Sequence, residues 1–434
     1  MCRILRARVT SCRSRNIWRN TLRTPHSENK SKVDVKNEIR RNLILRALLD
    51  HGPMSLTDMA KTTGITLPVV STLVSSLRRE KLVIEPKEKD ANQAGRPPSI
   101  VKLNGKAGFV LGIDIGRLFT NFIILDLETN IVADTRRKSI ALSNDLKLID
   151  DLEREMKIVL SSAKVDWNKL LGIGISLPGM VKGKEGLGET YFNFGEAPAR
   201  EILSKRFSKP VHIEHDLEAM AFGERWFGAA KDVKNALCVN VGWGLGLGII
   251  IDGKVYYGED GYAGEFGHIR VVKNGELCYC GKRGCLETVA SGRAITKIAR
   301  EKISHGAATI MTSEAKLAIE QIDTAAVLKA AGQGDQFSLE ILEEVGRFLG
   351  SGITVMINLL NPALVILGGG IPTAAPQLLE SVRANAMKHS LVQLNRNVKF
   401  AISGLGNKAG ALGVAVYLAE DLFDVERLNP SAYV

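Results

Sequence analysis

Apolar positions near the start of the chain follow a helical rhythm. From Asn37 to Leu49, the residues Ile39, Leu43, Ile44, Leu45, Leu48 and Leu49 recur near a 3.6-residue period and predict a first helix, which His51-Gly52-Pro53 ends. Ser55 caps a short second helix holding Leu56, Met59 and Ala60. Gly64 is the turn, and Thr66, with Pro68 just behind it, opens a third helix whose buried stripe is Val70, Leu73, Val74 and Leu77. Pro68, Val69, Ser71, Thr72 and Ser75 face away from that stripe, and Arg78, Arg79 and Lys81 follow at its end. Leu82–Glu85 and Pro98–Leu103 then read as a two-stranded wing around a polar loop, 87–95.

Two short helices around a tight turn form the helix-turn-helix arrangement, whose second member lies in the DNA major groove. On that reading Thr66, Pro68, Val69, Ser71, Thr72 and Ser75 meet base edges while Arg78 and Arg79 hold phosphates. Arg96, in the stiff run Gly95-Arg96-Pro97-Pro98, reaches an adjacent minor groove. A three-helix protein-interaction domain has the same apolar pattern, so charge must separate the two. Up to Asn104 there are 21 Lys/Arg against 9 Asp/Glu, a net +12; the remainder carries 37 and 38, a net −1. A positive excess confined to one module is the footprint expected of a nucleic-acid-binding module, with DNA as its partner, although a solvated basic surface has the same composition.

The chain's 434 residues suffice for two or three domains. Residues 1–31 are arginine-rich, with Glu28 as their one acid and no periodicity, which reads as a basic disordered tail. A transit peptide has the same composition, whereas the apolar stretch of a secretory signal is missing. The longest apolar runs, such as Leu245–Ile251, are far too short to span a bilayer, so no membrane insertion is expected and the reading is cytoplasmic, on bacterial DNA.

Three of the six cysteines, Cys278, Cys280 and Cys285, fall within eight residues, and His268 lies ten positions upstream. A Cys3His set suits tetrahedral Zn²⁺ with no open position, hence structural zinc rather than a catalytic ion. Buried or disulfide-bonded cysteine is the alternative, but Cys278 and Cys280 are poorly spaced to bond one another. Glu265 and Glu287 flank the ligands, and carboxylates held side by side grip vicinal sugar hydroxyls.

The run Glu265-Phe-Gly-His268, followed by Cys278-Tyr-Cys280-Gly-Lys-Arg-Gly-Cys285-Leu-Glu287, resembles the signature of the ROK family of repressors, open reading frames and sugar kinases. The resemblance runs from about Lys32 to Leu422 and includes the Ser/Thr-x-x-x-Val-Ser-x-x-Val pattern of the family's repressors at Thr66–Val74. ROK sugar kinases generally lack that N-terminal module. The fold this implies is α/β: a winged helix-turn-helix at 32–104, then a two-lobed actin-like sugar-kinase domain at 105–434. Its small lobe would span about 108–215 plus 409–434, and its large lobe about 216–408. The resemblance assigns zinc and sugar together to His268, and sugar hydroxyls to Glu265 and Glu287. It places a sugar-contacting asparagine at Asn193, and the general base of the kinases at Asp216. His215 stands where the kinases carry asparagine and joins the sugar-binding set. Asp216 as a helix N-cap ahead of Leu217 is the plainer reading of that residue.

The kinase-like phosphate loops are altered. The first turn, Asp-x-Gly-Gly-Thr in actin-like kinases, reads Asp114-Ile-Gly116-Arg117-Leu118, which compromises close backbone approach to phosphate. In the second, Gly242, Gly244 and Gly246 survive, but Trp243 occupies the threonine position; glycine at every second residue serves strand packing equally well. Gly368 and Gly369 close a buried strand that lies beside adenosine in kinase relatives. ATP and Mg²⁺ are therefore not expected. The expectation is a sugar-responsive transcriptional repressor, homodimeric or homotetrameric, with a small sugar or sugar derivative as effector. The alternative is an ATP-dependent hexose kinase with an appended DNA-binding domain, in which Asp216 is catalytic; an empty-cleft DNA-binding scaffold is the third class.

Overall fold

Helix α1 spans Lys32–His51, more than a turn beyond the apolar repeat at its start. The computed structural model describes residues 32–86, 100–195 and 197–424, so the basic tail, the wing loop and Arg96 lie outside the described residues. Strand β1 (Met54–Ser55) leads into α2 (Leu56–Thr63), where the Ser55 hydroxyl accepts the Asp58 N–H at 3.1 Å and so caps the helix. Gly64, at φ +69°, takes the left-handed conformation that ends α2, and α3 follows at Leu67–Arg79. The wing differs from the two strands expected. Strands β2 (Val83–Ile84) and β3 (Ile100–Leu103) pair, but β3 also pairs with β1, giving the order β1-β3-β2. Two residues of strand after a proline leave too short an alternation for sequence to register.

The remainder is built from two five-stranded sheets of the same topology. The first contains β4 (Phe109–Ile115), β5 (Phe119–Asp126), β6 (Ile131–Lys138), β7 (Leu170–Leu177) and β10 (Val211–His215) in the order β10-β7-β4-β5-β6. Helices α4 (Lys147–Ser162) and α5 (Ala199–Phe207) share an apolar cluster with it, and a small hairpin, β8 (Val181–Lys182) and β9 (Leu187–Gly188), precedes α5. Helix α6 (Asp216–Phe227) leaves β10 directly. The second sheet runs β13-β12-β11-β14-β15, from Ala236–Val241 (β11), Leu245–Ile251 (β12), Lys254–Val255 (β13), Leu364–Gly368 (β14) and Lys399–Ile402 (β15). In each sheet the first strand pairs antiparallel with the second and parallel with the fourth, the repeated half of a two-lobed actin-like domain.

The last helix, Ala409–Leu422, lies on the first sheet because small residues let it approach. A side chain at Gly112 or Gly174 would meet the Ala411 or Val414 carbonyl at 2.0 or 2.5 Å. Helix α6 packs likewise on the second sheet, with Leu217 against Gly246 and Met220 against Gly368. These two helices cross backbone to backbone: a Cβ on Gly413 would fall 1.6 Å from the Ala219 carbonyl oxygen, and one on Gly223 would fall 2.2 Å from that of Ala409. They are the layer between the lobes, and one end of each reaches the cleft.

Candidate functional site: a carboxylate-lined cleft beside a Cys3His cluster

Sheet register places the first acid. Asp114 on β4 stands opposite Asn121 on β5 and Ser176 on β7. The Ser176 hydroxyl donates to Asp114 Oδ1 at 2.9 Å and the Asn121 amide to Oδ2 at 3.4 Å. Burial, with the nearby Asp216 charge, pushes the Asp114 carboxyl up to about 6 despite those two donors.

His215 and Asp216 sit at the junction of β10 and α6. The helix begins at Asp216 with His215 as its N-cap, so Asp216 is the first helical residue and not the cap. Its carboxylate takes backbone N–H donors there, yet burial raises its pKa. His215 Nδ1 donates to Glu218 Oε2 at 2.6 Å, and Nε2 lies 3.3 Å from Asp216 Oδ1. Burial pulls the imidazole down, but the Glu218 hydrogen bond and the charges of Asp216, Glu218 and Glu265 outweigh it and hold His215 up at about 9. The imidazolium therefore occupies one face of Asp216. Glu218 was not singled out in the sequence; its i+3 spacing from His215 on a helix was the available signal.

The cysteine loop folds on itself through local hydrogen bonds, Cys278 N–H to the Lys282 carbonyl at 2.8 Å and Gly281 N–H to that of Cys278 at 3.0 Å. Gly284 is at φ +77°, and a Cβ there would sit 1.8 Å from the Val272 carbonyl oxygen, so no other residue closes this turn. As a result one ligand atom each from His268, Cys278, Cys280 and Cys285 comes together, all within 4.8 Å of one another. His268 Nδ1 is 3.6 Å from Cys278 Sγ, and Cys280 Sγ is 3.6 Å from Cys285 Sγ. A tetrahedral zinc with Zn–S bonds near 2.3 Å needs S···S edges of about 3.8 Å, so these donors fit the ion in both type and spacing. With Nδ1 turned to the thiols, Nε2 faces the other way, 3.1 Å from the Tyr279 hydroxyl and 3.6 Å from Glu265 Oε2. Tyr279 is a neighbour that the spacing of cysteines did not point to.

Glu287 opens the short helix Glu287–Ala290. Its Oε2 accepts the Leu245 N–H at 3.1 Å and packs where a side chain on Gly244 would be, 2.9 Å from the ideal Cβ. The second glycine loop thus seats a carboxylate. Gly242 retains open space, and Gly369, at φ +90°, packs against Asn240 and Val241. The Glu265 charge acts on Glu287 and on Asp216, and His268 Nε2 is within 3.6 Å of Glu265, so these predicted residues form one group. Asn193 is placed differently: its N–H donates to Asn144 Oδ1 at 3.0 Å, and among the described residues no hydrogen bond joins its side chain to the group.

On the helix-turn-helix module, Thr66, Pro68, Ser71, Thr72, Ser75, Arg78 and Arg79 are exposed, while Val69 is half-buried. Thr72 and Ser75 hydroxyls donate to the carbonyls of Pro68 and Ser71, and Arg78 pairs with Glu85 at 2.7 Å.

A family model described as the ROK family matches residues 110–421, and the chain belongs to that family. The xylose repressor of Bacillus subtilis strain 168 is 32% identical over 391 residues, 89% of this chain and 97% of its own length. Among solved structures, a ROK family transcriptional regulator described as a homologue of the E. coli Mlc protein is similar at TM-score 0.75 and 27% identity, covering 91% of this chain and 98% of its own. A ROK family glucokinase from Streptomyces griseus, in complex with glucose and AMPPNP, is similar at TM-score 0.62 and 29% identity over 71% of this chain and 99% of its own. Among the described residues no helix is long and apolar enough to cross a membrane.

Proposed function

We propose that this chain is a sugar-responsive transcriptional repressor whose operator affinity changes when a sugar occupies the cleft. The observation that carries the reading is the extent of its similarity: the xylose repressor aligns with 89% of the chain, against 71% for the glucokinase. A winged helix-turn-helix with an exposed polar face on α3 supports the same conclusion.

Within the cleft, Asp216, Glu265, Glu287 and His268 supply acceptors and one ring N–H for sugar hydroxyls, and His215 orients Asp216. Asn193 is assigned to the rim of the same site by family resemblance. His268, Cys278, Cys280 and Cys285 would hold a structural zinc, which when bound fixes the imidazole and its neighbours in position. The effector class is a neutral aldose of the xylose type, by the names of the relatives. Two copies of the chain would set recognition helices in half-sites about 34–36 Å apart, or a multiple of that.

Phosphoryl transfer is the second reading, favoured by Asp216 at the position of a base. Against it, Arg117 and Trp243 stand in the two loops where the kinases carry glycine and threonine, with the guanidinium stacked on the indole. A coupled ADP-release assay over a panel of aldoses separates the readings. The repressor reading expects turnover no higher than that of Asp216→Ala, together with sugar-dependent release of an operator duplex. Turnover well above the variant, with no sugar effect on DNA, would reject it.

A further inference from the structure

The cleft and the DNA-binding module are joined by a connection that the site itself does not include. Glu420, on the last turn of the helix Ala409–Leu422, is nearly buried, and its Oε1 accepts two hydrogen bonds and makes one ion pair. Arg225 Nη2 is at 3.0 Å and Trp226 Nε1 at 2.7 Å, both from the end of α6; Arg46 Nη2, from α1 of the helix-turn-helix, is at 3.1 Å. Arg46 also grips Asp50 with its Nε at 2.8 Å, so the guanidinium is fixed from both sides.

The opposite ends of the same two helices lie in the cleft. Helix α6 begins at Asp216, about 15 Å from Trp226 at the helical rise per residue. The helix carrying Glu420 begins beside Asp114, whose carboxylate lies 2.8–3.0 Å from where a Cβ on Gly410 would be. Each cleft carboxylate therefore sits at one end of a rod whose other end meets at Glu420. The rods cross at Gly223 and Gly413 with no intervening side chains. The seam around this meeting point is not filled: a cavity of about 710 Å³ is lined by Arg46, Asp50 and Lys102 of the DNA-binding module together with Arg225, Trp226 and Lys234. One apolar cluster continues from Leu48 and Leu103 to Leu418 and Phe423.

We propose that Glu420 is the coupling residue, through which a change in the angle of α6 against the last helix is passed to Arg46 and so to the helix-turn-helix. This rests on the sensing function proposed above. A turn of α6 driven by ligand at Asp216 displaces Arg225 and Trp226 relative to Glu420. The carboxylate then cannot keep both hydrogen bonds and the ion pair on one oxygen, and Arg46 must follow or let go. Two alternative sets of partners for one buried acid make a two-state element that both ligands can bias.

The test uses full-length protein labelled with 5-fluorotryptophan, the Trp226 resonance being assigned with Trp226→Phe. Glu420→Gln keeps the shape and an acceptor for Trp226 but removes the charge; Arg46→Met severs the DNA-binding side alone. A mixed-sequence duplex at low salt is expected to shift the Trp226 resonance in the wild type. In both variants that shift is lost while duplex affinity stays within about twofold. D-xylose is expected to alter wild-type duplex affinity by about fivefold or more, and that of the variants by less than about twofold. A duplex that binds without moving the resonance, or moves it equally in Glu420→Gln, overturns the linkage. If the resonance follows the duplex as expected while no aldose alters affinity, the linkage stands and sugar sensing falls. Absence of any duplex binding rejects the regulator reading and the linkage with it.

Discussion

The Arg117 guanidinium lies over the Trp243 indole, 4.3 Å from the ring centroid, and so joins the two glycine loops that face each other across the cleft. Arg117 follows the first sheet's Asp114 turn, and Trp243 stands between β11 and β12 of the second. The contact is a pin between lobes, at the two loops that resemble the phosphate loops of kinases. An exposed cation–π pair is worth about 0.5–1 kcal/mol. Arg117→Ala and Trp243→Ala should each lower the melting free energy by about that amount, and the double variant should lose less than the sum. Denaturant unfolding of the four proteins measures the coupling directly; strict additivity would remove the pin.

On the proposed reading, a zinc held by His268, Cys278, Cys280 and Cys285 would support His268, Glu265 and Glu287. Cys280→Ser should reduce bound metal from one equivalent per chain to well below half, by elemental analysis, and abolish the sugar-dependent thermal shift in the same protein. Chelator treatment of the wild type should do both. A variant that keeps its thermal response at full strength without metal would show that the cluster does not brace the pocket.

Asp114 gives a signed pH effect. Its folded pKa of about 6 lies above the ordinary 3.8, so the folded state binds more protons between those values and stability falls as pH rises through the window. Asp114→Asn removes that cost. It should stabilise the protein by up to ~3 kcal/mol at pH 8, and the difference should vanish as pH falls towards 4. Melting curves of both proteins at several pH values check the sign; a constant difference would reject burial as its origin.

His215 acts in the opposite sense. Its folded pKa of about 9 exceeds the free value of 6.5, so its contribution is full below about pH 6.5 and is lost as pH rises through 9. The neighbouring acids Asp216 and Glu218 are themselves raised by burial, which makes the net gain smaller than the histidine shift alone. His215→Gln should therefore cost ~1–3 kcal/mol at pH 6 and much less near pH 10, read from the same melting experiment.

On α3, Arg79 is exposed at the end of the polar face proposed to meet DNA. Arg79→Ala should weaken binding to all duplexes by a similar factor and reduce the salt slope of log affinity by about one. Thr72→Ala and Ser75→Ala should leave that slope unchanged and alter which sequence is preferred. Titrations at four salt concentrations distinguish phosphate from base contact.

How much of this was legible beforehand depended on distance along the chain. The Cys3His cluster could be read because its thiols are local and its turn residues, Gly281 and Gly284, lie between them. Helices α2 and α3 were legible through Ser55, Gly64 and one apolar stripe. Strand β1 was not, since two residues carry no period. Nor was the seat of Glu287 on the Leu245 amide, which depends on where a distant glycine loop is brought by β11 and β12. Arg46 and Glu420 come from opposite ends of the chain, and no spacing rule relates them. The repeat of one sheet topology was hidden as well, because strand order is fixed by long-range pairing and the two halves use different loop lengths.

The crossing at Gly223 and Gly413 has a mechanical meaning. Helices that interlock through large side chains resist rotation, since ridges must climb out of grooves before they can shift. Here main chain rests on main chain at the crossing itself, and the Phe222 and Tyr417 rings, 4.8 Å apart, are the large side chains packed beside it. The joint has no slack for even a methyl group, so a shift of one rod against the other is felt at their ends.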